Sequence, residues 1–99
     1  MNVAETRSEM LACVTDLRAR IATMSDPSRH ANIAHQARRK IERLRKSFKK
    51  QIDKKANERF GFPINAREGI ERKLTVATAE ALAAIEQAMA KAAEKCSAT

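Results

Sequence analysis

Few residues in this chain are of types that do chemistry, and their spacing narrows what they can do. His30 and His35 stand five positions apart. On a helix that turns them about 140° away from each other, and neither has a nucleophile or carboxylate beside it in a recognisable arrangement. Both are expected at the surface or its boundary. Cys13 and Cys96 lie far apart in sequence, and neither sits near a histidine at metal-ligand spacing. They read as small buried hydrophobes or free thiols. Glu68, Glu71, Arg72 and Lys73 cluster where a helix should begin, and they read as dipole and solubility charges rather than as a paired-carboxylate site. The expectation is a non-enzymatic protein with no catalytic residue, no metal and no cofactor.

One stretch stands apart. Residues 37 to 55, ARRKIERLRKSFKKQIDKK, hold ten Lys or Arg against two acids. Placed at 100° per residue from Ile41, the apolar Leu44, Phe48 and Ile52 fall within about 60° of it. Arg39, Arg43, Lys46, Lys50 and Lys54 fall on the far side, within about 40° of the opposite direction, and form a basic line roughly 22 Å long. Arg38, Arg45 and Lys49 make a shoulder, diluted by Glu42 and Asp53. A solvated helix face usually mixes signs in pairs four apart. Glu42–Lys46 is expected to be one such pair, but the line itself holds no acid.

The charge is segregated along the chain as well. Residues 29–59 carry 12 bases and 3 acids, residues 1–28 carry 3 and 4, and residues 60–99 carry 5 and 5. The formal net charge of +8, with a pI near 10.1, therefore belongs to one segment. Such a surface suits a polyanion.

With no Trp, no Tyr and three Phe that pattern and punctuation assign to the core, a base-stacking platform for single strands is not expected. Helix-turn-helix spacing is missing too. What a line of Arg and Lys does is contact the backbone of duplex DNA or structured RNA, largely without regard to sequence. The alternative is a protein-binding adaptor or inhibitor, of the sort a mobile element encodes, that docks the same line on an acidic protein surface. A membrane-surface role fits less well, because the apolar face opposite the line is needed for a core.

The elements that position these residues can be read from the chain's punctuation. Asp26-Pro27 is a helix start, with Asp26 as cap and Pro27 at the first helical position. Pro27 also forces the preceding helix to close near Met24 or Ser25. Phe60-Gly61-Phe62-Pro63 reads as a helix stop with Gly61 left-handed, and Asn65 with Glu68 resembles a capping box. Gly69 is a local cost within the third helix.

These signals predict helices at about 2–24, 27–60 and 66–96 in one helical domain spanning 1–99. The first places Val3, Met10, Val14, Leu17, Ile21 and Met24 along a seam, with Arg7 in its polar slot. The second carries the stripe Ile33, Ala37, Ile41, Leu44, Phe48, Ile52, Ala56 and Phe60. The third has Leu74, Leu82, Ile85 and Met89 on one face, flanked by Ala77, Ala81, Ala84 and Ala88.

The fold class expected is all-α: an up-down-up three-helix bundle, or a long helical hairpin with the first helix laid along it. Cys13 and Cys96 would then sit too far apart along the axis for a disulfide. No apolar run is long enough to span a membrane, and the N-terminus lacks the apolar core of a secretory signal, so a cytoplasmic location is expected. Only 18 residues are Leu, Ile, Val or Phe, a count low enough to suggest that a homodimer supplies part of the stability. Ala79, Ala83 and Ala90 would form its contact face.

Overall fold

Asp26 begins the second helix as its chemistry dictates. Its backbone is extended, at φ −82° and ψ 115°, and its Oδ1 accepts hydrogen bonds from the Ser28 backbone N–H and the Ser28 hydroxyl, both at 3.0 Å. The computed structural model describes residues 3–57 and 64–97. Within them the chain forms α1 (Val3–Ala22), α2 (Pro27–Ala56) and α3 (Ile64–Ser97), and each helix packs against both others. The fold is an all-α three-helix bundle. It is a rod, with Cα extents of 60 × 17 × 15 Å. The Phe60–Pro63 stop and the side chains of Asn65 and Cys96 lie outside the described residues.

The first helix closes at Ala22, two residues before the expected end. The Thr23 and Met24 N–H groups bond to the Arg20 and Ile21 carbonyls in tighter three-residue turns, and the Thr23 hydroxyl donates to Arg20 O at 2.9 Å. Side chain and backbone thus satisfy carbonyls that the helix end would leave open.

Helix direction follows from which residues share a seam. Cys13, Asp16 and Leu17 meet Ile33, Gln36 and Ala37, while Glu5 and Glu9 meet Leu44, Phe48 and Gln51. So α1 and α2 run antiparallel. The C-terminal end of α2 joins the N-terminal end of α3 through an Arg67–Asp53 ion pair, which makes these two a hairpin.

The core combines large side chains from α1 and α2 with small ones from α3. Met10, Leu17, Ile41, Ile52 and Ile85 are almost completely buried, and Phe48 is 5% exposed. On α3 the buried centre is Leu74, Ala77, Ala81, Ile85 and Ala88, while Leu82 and Met89 lie at its edge. That shifts the expected face toward its alanine flank. Ala77, Ala81 and Ala88 are buried there although each adds only a methyl group to the core.

Two threonines are buried as well, Thr6 and Thr78. The Thr78 hydroxyl donates to Leu74 O at 2.8 Å, so it is buried without an unmet hydrogen bond. Arg7, expected in the α1 seam, is exposed instead and pairs with Glu80 of α3 at 3.0 Å. Thr6 takes the inward position beside it.

His30 also departs from expectation. It is 5% exposed rather than at the boundary, and its Nε2 lies 2.7 Å from the Met24 carbonyl. A carbonyl only accepts, so this bond requires the proton on Nε2. The contact ties the first turn of α2 to the end of α1. His35 is exposed, as expected.

Candidate nucleic-acid interface

The inward stripe of α2 fixes where its outward residues point. Ala34, Ala37, Ile41, Phe48 and Ile52 are buried against α1 and α3. Residues half a turn away from them must face solvent. Arg39, Arg43, Lys46, Lys50 and Lys54 are all exposed. The capped start at Asp26 and an unbroken helix to Ala56 keep them in register along one side of the rod.

The electrostatics turn on the two acids of the basic stretch. Glu42 Oε2 accepts from Nε and Nη2 of Arg45 at 3.2 and 3.1 Å, not from Lys46 as the four-residue spacing suggests. The guanidinium fork gives two hydrogen bonds where an ammonium would make one contact. Asp53 is bound by Nη2 of Arg67, whose Nε reaches Glu71 at 3.4 Å. Both acids are therefore committed to arginines outside the line. Among the described residues, no ion pair includes any of the five line bases. They form an uncompensated row of positive charge.

The shoulder residues separate by environment. Lys49 is exposed and extends the row sideways, and Arg38 is half-buried. Arg45 is half-buried and engaged with Glu42, so it shapes the field more than it offers a free donor.

Charge alone missed two members of this face. Asn32 lies seven residues before Arg39 and Gln36 seven before Arg43, on the same outward side, both exposed. Neither side chain has a hydrogen-bond partner among the described residues. The 100° arithmetic applied to uncharged polar residues would have found them. From Pro27 to Ile41 the helix holds no acid at all.

Two further clefts lie on the α1–α2 seam, and one of them reaches the edge of this face at Gln36. One is lined by Glu5, Thr6, Glu9, Leu44, Phe48 and Gln51, the other by Cys13, Asp16, Arg20, Ile33, Gln36 and Lys40. Asp16 and Arg20 pair with each other at 3.1 Å. Among the described residues, no helix is long and apolar enough to cross a membrane. Compared with protein-family models, curated proteins and solved structures, the chain matches none.

Proposed function

We propose that this chain is a non-enzymatic, cytoplasmic polyanion-binding protein that grips nucleic acid by its phosphates along the outward face of α2. The observation that carries this reading is the commitment of Glu42 and Asp53 to Arg45 and Arg67. It leaves five exposed bases with no internal counter-charge. Like charges held in a row repel each other until counter-ions or a ligand neutralise them. A phosphate backbone does so and releases its own condensed ions, which drives binding entropically.

A second copy of the chain can pack on α3 without covering this face. Val76 is 55% exposed, and Ala79, Ala83 and Ala90 are exposed beside it. A homodimer formed there would present two basic lines.

Binding measured across a salt series tests the reading. Five phosphate contacts give a log–log slope of about −4.5 on B-form DNA and about −3.5 on a single strand. Binding that weakens along such a slope, on duplex DNA or on structured RNA, is the expected result. No association at low salt, where even non-specific attraction appears, would sink it. An acidic protein surface would then be the ligand of the same line.

A further inference from the structure

The outward face of α2 changes chemistry half-way along. Its first half presents Asn32, Gln36, Arg39 and Arg43, and its second half presents Lys46, Lys50 and Lys54, all exposed. The first set is of the types that make paired hydrogen bonds to base edges in the major groove. Asn and Gln match the donor–acceptor pair of adenine, and Arg matches the two acceptors of guanine. Lysine is a point charge suited to phosphate.

We propose that α2 reads B-form duplex DNA, with Asn32, Gln36, Arg39 and Arg43 on base edges and the three lysines on the backbone. This rests on the nucleic-acid reading above and adds sequence preference to it. On a matched site Arg39 and Arg43 leave the phosphates for base edges. The slope there is that of three contacts, about −2.7, against about −4.5 on other duplexes.

Geometry favours this division of labour. A straight helix fits a B-form major groove about 12 Å wide, but the groove curves away around the duplex. The four reading residues span roughly 16 Å of axis and the lysines roughly 12 Å more. An end-on approach seats the first half in the groove. It carries the second half up and over the phosphate wall, where ammonium groups are wanted.

Since the bundle cross-section of 17 × 15 Å exceeds the groove, only the ridge made by α2 enters. The buried stripe through Ile41 holds α1 and α3 behind that ridge. From Pro27 to Ile41 the helix carries no acid of its own, and the nearby Asp16 of α1 is paired with Arg20. A-form RNA, with its deep and narrow major groove, admits no such ridge.

The full chain is tested by selection from a pool of randomised DNA duplexes, then by titration of the enriched duplex against a scrambled one. Enrichment of a short site containing adenine and guanine is expected. Asn32→Ala with Gln36→Ala should flatten the preference by on the order of tenfold per lost base contact, while the salt slope stays unchanged. Alanine favours the helix, and circular dichroism checks that the fold is kept. Lys46→Gln, Lys50→Gln and Lys54→Gln together should weaken every duplex alike and lower the slope by about three units.

A pool with no enrichment but a steep salt slope overturns base reading and leaves the phosphate grip standing. A preference that survives the amide double variant overturns it too, as does an equal preference on an RNA duplex of the same sequence. Failure to bind any duplex at low salt removes both readings together.

Discussion

Arg67 of α3 holds Asp53 of α2, and with its other nitrogen it holds Glu71. The acid nearest the C-terminal lysines is thereby turned toward α3. Removing the guanidinium, by Arg67→Ala, frees a carboxylate to approach Lys49, Lys50 or Lys54. The half-exposed pair contributes no more than about 1 kcal/mol to the fold, so stability should barely move. Nucleic-acid affinity should fall, and the salt slope should drop by up to about one unit, because one line cation is now neutralised from within. Asp53→Asn in the same background should restore both. A double variant that stays weak would mean that Arg67 itself touches the ligand.

Two small residues of α3 carry opposite expectations for stability. Ala81 is fully buried, so Ala81→Leu should overpack the centre of the bundle and cost about 1–3 kcal/mol. At Gly69 a Cβ would meet nothing within 4 Å, and its backbone is not left-handed. Gly69→Ala should therefore stabilise by up to about 1 kcal/mol through helix propensity alone. Denaturant unfolding of both variants measures this. An Ala81→Leu protein as stable as its parent would place the core elsewhere on α3.

How legible these features were in the sequence depends on whether their causes are local. The start of α2 was legible because Asp26 and Pro27 act on the next few residues. The outward line was legible because helical period alone places Arg39 opposite Ile41. On α3, size misled: Leu82 and Met89 look like core, yet they lie at its edge. Ala77 and Ala81 are buried with Leu74 and Ile85 instead, because the face is set by how the helix is turned in the bundle. His30 was misread because its partner, the Met24 carbonyl, belongs to a turn whose path only the packed bundle fixes. Glu42 had two candidate partners at helical spacing, and the choice of Arg45 over Lys46 lies in guanidinium geometry that spacing does not encode.

The cap at Asp26 predicts a pH dependence. Hydrogen bonds from the Ser28 backbone and hydroxyl hold its carboxyl below the ordinary value, helped by the nearby Arg29 and His30. A folded pKa below the unfolded one means that the cap stabilises fully above the ordinary carboxyl value. That contribution is lost as pH falls through the folded value. Asp26→Asn still caps but does not titrate, so it should flatten this acid limb of the stability curve. Asp26→Ala should lower the melting temperature at neutral pH as well. Identical acid limbs in the parent and the Asn protein would show that the cap does not govern them.

The five bases of the line can be replaced without touching the core. Arg39, Arg43, Lys46, Lys50 and Lys54 are exposed, face away from Ile41 and Ile52, and make no ion pair among the described residues. Changing all five to Gln should leave helicity intact, and relief of mutual repulsion should raise stability slightly if at all. Binding should respond in the opposite sense. Each lost phosphate contact removes about 0.9 from the salt slope on duplex DNA, so the five-fold variant should show almost none of the parent's salt dependence. Arg43→Glu with Lys50→Glu should weaken binding more than the same two changes to Gln, because repulsion is added in the middle of the row. Lys73→Gln and Lys91→Gln are the controls. Both are exposed on α3, where acids and bases are balanced, and both should bind as the parent does. Equal affinity and slope for parent and five-fold variant would reduce the line to a solvated face and end the nucleic-acid reading.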